Sequence, residues 1–213
     1  MPPLEKNRRR LSTLSLCGLS ISAVTASPHP LNPKLSTDNL QLPMKPILRL
    51  ANRSDIPQIM GVTSRAVAIL NAAGNFQWDS TYPNPTVFGE DIANGHLWLA
   101  EDEATGRVLA FIAMTLTQPE EYAGVGWRME EPSMVLHRLA VDPAVRGGGL
   151  ARLLLLKSEE EARRQGLPRI RVDTGALNKA MQSLLASLGY AYAGDIHLKE
   201  CGEIVFQCWE KVV

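Results

Sequence analysis

Residues 142–166, DPAVRGGGLARLLLLKSEEEARRQG, contain the strongest structural signal in this sequence. Three consecutive glycines stand directly before a leucine-rich segment that has the spacing of an amphipathic helix. Glycine weakens regular structure, so three of them together indicate that the backbone must come close to something else. A helix N-terminus presents unpaired N–H groups and partial positive charge, which a loop without side chains leaves open to an anion. We therefore predict a pyrophosphate-binding turn at 147–151 that leads into a helix over 150–165.

The segments around this turn predict a mixed β-sheet. SMVLHRLAV (133–141) has the composition of a strand before the turn, and RIRVD (169–173) follows the helix as a second strand. The three elements form a β-α-β unit, whose strands run parallel. Before this unit, the remaining segments predict a strand, a helix capped by Ser54, a helix capped by Asn84 with Pro85 in its first position, and a hairpin. After the unit, they predict a short helix capped by Asn178 and a closing strand pair. The order β-α-α-β-β-β-α-β-α-β-β predicts an α/β (α+β) protein.

Composition limits the partners and the compartment. The chain has 213 residues, of which 45% are hydrophobic, so it is long enough for one well-packed domain. Lys plus Arg and Asp plus Glu both number 22, which argues against nucleic acid and favours a small partner. Cys17, Cys201 and Cys208 fit neither a disulfide framework nor a zinc site. We therefore predict no metal and a reducing, cytoplasmic compartment.

The first 43 residues differ from the rest. A basic cluster, Arg8–Arg10, precedes an apolar and serine-rich run that ends near Ala26, as in a secretory signal or a transit peptide. The run is too short and polar to predict stable membrane insertion. Alternatively, the domain begins at Met44 and everything before it is a dispensable, disordered extension. We predict a domain at 44–213 and leave open whether 1–26 acts as a targeting signal for export or an organelle.

The glycine turn resembles one known phosphate-binding signature more than two others. A Walker loop needs GxxxxGK[ST], which is absent here, and Arg152 stands where a GxGxxG dinucleotide fingerprint needs its third glycine. RGGGLA (146–151) resembles the [QR]xxGx[GA] signature of the GNAT superfamily of N-acetyltransferases. DTGALNKAMQSLLASLGY (173–190) is similar to that family's fifth strand and following helix. WDSTYPN (78–84) and DIANGHLWLA (91–100) resemble its bacterial small-molecule members.

The resemblance covers about Pro46 to Lys211 and implies a fold, a donor and a reaction. It implies a mostly antiparallel sheet of six to seven strands with about four helices, splayed between strands four and five. Acetyl-CoA would lie in that opening, and its acetyl group would pass to an amine of a small molecule or a peptide by direct attack. A homodimer is one assembly that the resemblance allows. The residues implied at acetyl-CoA are Leu139, Ala140, Val141, Arg146, Gly147, Gly148, Gly149, Leu150, Ala151 and Asn178.

Several side chains are candidates for the general base. His137 is the first, because it alternates with Leu139 and Val141 on one face and its usual pKa of about 6.5 suits proton removal. The alternative is a histidine that is hydrogen-bonded near the start of the strand. Val135 stands where several histone-type members of the family have a catalytic glutamate. Three carboxylates could substitute through water, although the first interpretation of each is an ordinary surface or loop group: Glu130, Glu131 and Asp173.

The general acid and the acceptor pocket are less well specified. Leu185 occupies the position at which many relatives have a tyrosine that protonates the leaving thiolate, so Tyr190 or water would have to serve. This departure keeps a non-catalytic acyl-CoA-binding or sensor module as the alternative to an enzyme. Aromatic residues in the loops predict a wall of the acceptor pocket or, alternatively, anchors of those loops in the core: Trp78, Tyr82 and Trp127.

Overall fold

The computed structural model describes residues 46–213. The proposed extension at 1–43, including the signal-like run that ends near Ala26, lies outside the described residues. The domain start predicted at Met44 therefore stays a prediction. No helix in the described part of the chain is long and apolar enough to cross a lipid bilayer.

Among the described residues, seven strands form a single sheet in the order β1-β2-β3-β4-β5-β7-β6. The strands are β1 (Pro46–Leu50), β2 (Leu97–Asp102), β3 (Val108–Thr115), β4 (Ser133–Val141), β5 (Arg169–Gly175), β6 (Ala191–His197) and β7 (Val205–Val212). Every neighbouring pair is antiparallel except β4 and β5, which are parallel and joined by a helix. The predicted α/β class, the mixed and mostly antiparallel sheet and the β-α-β crossover are confirmed.

Within residues 46–213, four α-helices flank the sheet: α1 (Ile56–Ala72), α2 (Pro85–Ala93), α3 (Leu150–Arg164) and α4 (Lys179–Ser187). The Asn84 side chain caps α2 by accepting hydrogen bonds from two backbone N–H groups, and Pro85 takes the first helical position. Asn178 caps α4 by accepting from the Met181 N–H at 3.3 Å. Both caps were predicted from the sequence.

The predicted cap of α1 at Ser54 is wrong. Asn52 accepts a hydrogen bond from the Ser54 N–H and caps a 3₁₀ turn at Arg53–Asp55 that leads into α1. The Asp55 carboxylate accepts from the Asn52 N–H at 2.8 Å and also binds Arg49 at 2.7 Å. This reciprocal arrangement places the first turn two residues earlier than the sequence pattern suggested.

The two faces of the sheet carry separate hydrophobic clusters. The leucines of α3, residues 153–156, are buried together with Met134 and Ile170 on one side. On the other side, α1 and α2 pack through Ile59 and Phe88 onto the sheet. β3 is buried along its whole length because it lies between these two layers. This packing fixes β4, the neighbour of β3, in the middle of the sheet.

A β-bulge interrupts β4 in its second half. Phe111 pairs with Ala140 and Ala113 pairs with His137, so β4 contains one more residue than β3 across this interval. Arg138 lies in the bulge with a φ of 52°, which a non-glycine residue rarely adopts. Its guanidinium donates two hydrogen bonds to Asp91 of α2, at 2.8 and 2.7 Å. This ion pair anchors the bulge to α2, because both side chains are nearly buried.

β4 and β5 separate next to the bulge. Their parallel pairing runs from Ser133 and Arg169 to Leu136 and Val172 and does not continue beyond these two residues. Residues 137–141 of β4 remain paired with β3 on the other side. The sheet is therefore open between strands four and five, as the sequence resemblance implied.

We predict that the Asp91–Arg138 ion pair is a main support of the bulge. Changing Asp91 to Asn leaves the Arg138 guanidinium buried without a carboxylate and should lower the free energy of unfolding by about 2–4 kcal/mol. Glu90 is exposed on the same helix, so Glu90→Gln is the matched control and should change little. Urea unfolding of the two variants measures the difference. Equal stabilities would show that the bulge does not depend on this pair.

Candidate active site

A cavity of about 1220 Å³ opens where β4 and β5 separate. Its walls come from the second half of β4, the glycine turn, the start of α4 and the loop between α1 and α2. On the remaining side it is closed by the segment before β4 and by the β6–β7 connection. Every residue that the sequence resemblance implied at acetyl-CoA lines this one cavity: Leu139, Ala140, Val141, Arg146, Gly147, Gly148, Gly149, Leu150, Ala151 and Asn178.

Positive φ angles and a close backbone contact both explain why this turn consists of glycines. Gly147 and Gly149 have φ values of 81° and 76°, which L residues rarely adopt, and Gly149 is the N-cap of α3. A Cβ at Gly148 would come within 3.3 Å of the Val145 carbonyl oxygen, whereas one at Gly147 would meet no atom within 4 Å. The space in front of Gly147 is therefore open, and the turn can receive a ligand at the N-terminus of α3.

The turn is held from outside by a buried carboxylate. Asp142 accepts two hydrogen bonds from Arg65 of α1, at 3.2 and 2.9 Å. It also accepts from the Ala144 N–H at 3.1 Å and so caps the 3₁₀ turn that precedes the glycines. These contacts fix the position of the glycine turn relative to α1.

His137 lies on the cavity wall and is a weak base there. Burial, together with the nearby Arg138 charge, lowers the pKa of His137 from 6.5 to about 4. A hydrogen bond with the Thr117 backbone acts in the opposite direction but does not compensate. The imidazole is therefore neutral at pH 7 and holds a proton less readily than an ordinary histidine.

Asp173 lies at the point where the two strands separate. It follows Val172, the last residue of β5 that pairs with β4, and it lines the cavity. The Tyr122 hydroxyl donates a hydrogen bond of 2.7 Å to its carboxylate. Burial raises the pKa of Asp173, and the bond from Tyr122 partly opposes the rise. Asp173 is thus a carboxylate with increased basicity at the fork of the sheet.

The structure does not bring the other two predicted carboxylates to the cavity. Glu130 does not line it and its side chain is 76% exposed. Glu131 forms ion pairs with Arg169 at 2.9 Å and Arg171 at 3.5 Å at the far end of β5. These ion pairs join the segment before β4 to the sheet, so the role that the contacts indicate for Glu131 is structural.

Tyr190 and Leu185 also lie away from the cavity. Both are buried in the hydrophobic cluster on the α3 side of the sheet, and neither lines the cavity. The residues of α4 that face the cavity are Ala180, Met181 and Leu184, none of which can donate a proton from its side chain. Within the described residues, α4 therefore supplies no general acid.

The three predicted aromatic residues separate into two groups. Trp78 and Tyr82 line the cavity, Trp78 almost buried and Tyr82 40% exposed. Trp127 does not line it. Its ring packs edge-on against Tyr122 at 4.9 Å, and Arg171 lies over its face. Trp127 therefore supports the tyrosine that contacts Asp173.

Sequence reasoning missed two residues that shape the site. Tyr122 gave no signal because nothing local relates it to Asp173, which is 51 positions away. Gln77 accepts a hydrogen bond from the Gly175 N–H at 2.8 Å and ties the α1–α2 loop to the end of β5. A Cβ at Gly175 would lie only 2.6 Å from the Gln77 amide oxygen, so the glycine next to Thr174 was the one available clue.

Residues 46–213 contain no group of three or more His, Cys, Asp or Glu side chains that could hold a metal ion.

Comparisons with known proteins identify relatives of this fold. The sequence profile of the acetyltransferase (GNAT) family matches residues 66–190. An uncharacterized N-acetyltransferase of Bacillus subtilis (strain 168), YesJ, is 28% identical over 144 residues, which cover 66% of this chain and 78% of that protein.

Solved structures show the same architecture. An acetyltransferase of the GNAT family from Streptococcus agalactiae 2603 is 28% identical with a TM-score of 0.68, and the match covers 82% of this chain and 99% of that one. The protein yncA from Salmonella typhimurium, solved with its cofactor acetyl-CoA, has a TM-score of 0.59 at 19% identity over 79% of this chain and 94% of that one.

We predict that His137 makes stability depend on pH. The unfolded chain binds a proton at this histidine near pH 6.5, and the folded chain does so only near pH 4. The free energy of unfolding should therefore fall as the pH is lowered from 6.5 towards 4. His137→Gln removes this contribution, so its melting temperature should decrease less than that of the wild type between pH 7.5 and 5.5. His197 is exposed on β6, and His197→Gln should behave as the wild type does. Identical pH dependence of His137→Gln and the wild type would contradict the assignment.

Proposed function

This chain belongs to the acetyltransferase (GNAT) family, and we propose that its domain at 44–213 transfers an acetyl group from acetyl-CoA to an amine of a small molecule or peptide. The observation that carries the proposal is the meeting of three features in one cavity. These are an open glycine turn at a helix N-terminus, an unpaired strand edge and a half-buried carboxylate at the fork between them.

The donor side of the cavity suits acetyl-CoA. The N–H groups of the glycine turn and the positive end of α3 would hold the pyrophosphate, with Arg146 at the same wall. The edge of β4 from His137 to Val141, which β5 leaves unpaired, offers backbone donors and acceptors to the amide groups of the pantetheine arm. Acetyl-CoA bound to yncA, a protein of the same fold, supports this choice of donor.

Asp173 is our choice for the general base. An alkylamine has a pKa near 10.4 and is mostly protonated at neutral pH, yet only the neutral nitrogen can attack a thioester carbonyl. The Asp173 carboxylate would accept a proton from the acceptor nitrogen while the C–N bond forms and the C–S bond breaks. Its raised pKa makes it a better proton acceptor than an exposed aspartate, and Tyr122 fixes its orientation. His137, with a pKa of about 4, is less suited to this step.

The apolar face of α4 keeps the second candidate function open. Because Ala180, Met181 and Leu184 cannot protonate a thiolate, CoA would leave as the thiolate and take its proton from water. A CoA thiol has a pKa comparable to the 8.5 of cysteine, so this departure is slower without being forbidden. If the protein binds acetyl-CoA tightly and no amine supports turnover, it is an acyl-CoA-binding module instead of an enzyme. A screen for CoA release with a broad set of amines separates the two.

We predict that Gly147 is needed for CoA binding beyond its role in the turn. Gly147→Ala places a Cβ in the open approach to the α3 N-terminus and should raise the Kd for CoA about tenfold or more, measured by calorimetry. Gly166→Ala is the matched control, because Gly166 has a φ of 69°, lies just past the other end of α3 and also has no atom near its Cβ position. Both variants should lose about 1 kcal/mol of stability. Equal CoA affinities of the two variants would remove the turn from the binding site.

We predict that Asp173→Asn lowers kcat about a hundredfold or more and leaves CoA affinity nearly unchanged, because the base contacts the acceptor rather than the donor. Tyr122→Phe removes a hydrogen bond that lowers the pKa of Asp173, so the ascending limb of the pH–rate profile should move to higher pH. His137→Gln should leave that limb in place. A limb that disappears in His137→Gln and survives in Asp173→Asn would assign the base to His137.

A further inference from the structure

The acceptor side of the cavity has a charge pattern that bears on the substrate. This argument rests on the acetyl transfer proposed above. Two cations line this side, and each is already paired. Arg138 binds Asp91 at 2.7 Å, and the Lys199 ammonium binds Glu120 at 2.8 Å. Each cation thus already has a carboxylate partner in the protein.

Carboxylates exceed cations on the same side. Glu121 lines the cavity and accepts a hydrogen bond of 3.2 Å from the neutral Lys199 backbone N–H. Lys199 thus lies beside two carboxylates, Glu120 and Glu121, and its single charge cannot balance both. Asp79 also lines the cavity. Hydrogen bonds from the Thr81 side chain and backbone and from the Tyr82 N–H lower its pKa, so it stays ionised.

Exposed aromatic rings line the same cavity as these carboxylates. Phe76 is 62% exposed and Tyr82 is 40% exposed, and both line the cavity. An exposed aromatic face attracts an ammonium group through its quadrupole, and a nearby carboxylate adds to the attraction. The aromatic face also shields the methylene chain of an aliphatic ligand from water. The wall is therefore suited to an alkylammonium group and unsuited to a carboxylate or phosphate.

Glu121, on the acceptor side of the cavity, is adjacent in sequence to the tyrosine that contacts Asp173, the proposed general base. Glu121 directly precedes Tyr122, whose hydroxyl reaches Asp173 at the fork of the sheet. Glu121 and Asp173 thus line the same cavity, and Glu121 is next in sequence to the tyrosine that contacts Asp173. A chain that carries a nitrogen at each end could present one to Asp173 and the other to Glu121.

We propose that the acceptor is an aliphatic amine with a second positive charge, such as a diamine or polyamine, and that Glu121 binds the non-reacting ammonium group. Glu121 selects the acceptor and takes no part in the chemistry at the thioester. Its contribution is electrostatic, so it weakens as salt screens the charges.

A matched series of four-carbon acceptors tests the proposal. The compounds are 1,4-diaminobutane, 1-aminobutane and 4-aminobutanoate, which share one reacting amine and end in an ammonium, a methyl and a carboxylate group. The kcat/KM for CoA release should be highest for the diamine, about tenfold above the monoamine at low salt, and lowest for the amino acid. The preference for the diamine over the monoamine should shrink in 0.5 M NaCl.

Two variants assign the preference to one side chain. Glu121→Gln should reduce the ratio of kcat/KM for the diamine to kcat/KM for the monoamine several-fold. Glu130→Gln removes the same charge from an exposed position outside the cavity and should keep the wild-type ratio. Calorimetry with CoA-saturated protein gives a readout without turnover. The wild type should bind the diamine more tightly than the monoamine, and Glu121→Gln should bind the two with similar affinity.

The outcomes distinguish this inference from the function on which it rests. Turnover that is as fast with 1-aminobutane or 4-aminobutanoate as with the diamine overturns the acceptor class and leaves acetyl transfer intact. An unchanged ratio in Glu121→Gln overturns the role of Glu121. If acetyl-CoA binds and no amine releases CoA, the proposed acetyl transfer is itself wrong and the inference falls with it.

Discussion

Backbone N–H and C=O groups inside a protein need partners, and a pair of strands that separates within a sheet leaves them without any. β4 and β5 pair only as far as Leu136 and Val172, after which the cavity takes the place of the sheet. The bulge at Arg138 lies at this point, and the ion pair with Asp91 keeps its unfavourable backbone conformation in place. In the proposed function, the ligand supplies the partners that the opening removes.

Burial acts in opposite directions on the two titratable groups at this opening. It disfavours the charged form of each, so it lowers the pKa of His137, a base that is charged when protonated, and raises the pKa of Asp173, which is charged when deprotonated. The histidine becomes a poorer proton acceptor as a result, and the carboxylate becomes a better one. The Tyr122 hydroxyl is neutral, so its hydrogen bond fixes the orientation of the carboxylate without placing a positive charge beside it. The pKa of Asp173 therefore remains raised.

The walls of the cavity are joined to one another by a few long-range contacts. Arg65 of α1 holds Asp142 before the glycine turn, and Gln77 holds the end of β5 through the Gly175 N–H. The α1–α2 loop, the glycine turn and the fork of the sheet are therefore fixed to a common framework. Transfer between two bound groups benefits from such fixed geometry, because the reacting atoms must lie within contact distance. In the function proposed above, the excess of carboxylates on the acceptor side of the cavity would add selectivity to this framework.

The sequence by itself determined the features that depend on neighbouring residues. The glycine turn, the helix that follows it, the caps at Asn84 and Asn178 and the β-α-β unit all rest on local backbone preferences and periodicity, and the structure contains each of them. The family resemblance, which these local motifs carried, also identified residues that line the cavity on its donor side.

Only the tertiary structure decided which side chains meet. Glu130, Glu131, Tyr190 and Trp127 were reasonable candidates by residue type, yet none lines the cavity, because Glu131 is bound by arginines, Glu130 is exposed to solvent and the two aromatic residues pack elsewhere. The basicity of Asp173 depends on burial and on a tyrosine 51 positions away. A local sequence pattern encodes neither the burial of Asp173 nor its contact with Tyr122, because both arise when distant segments pack together and exclude water.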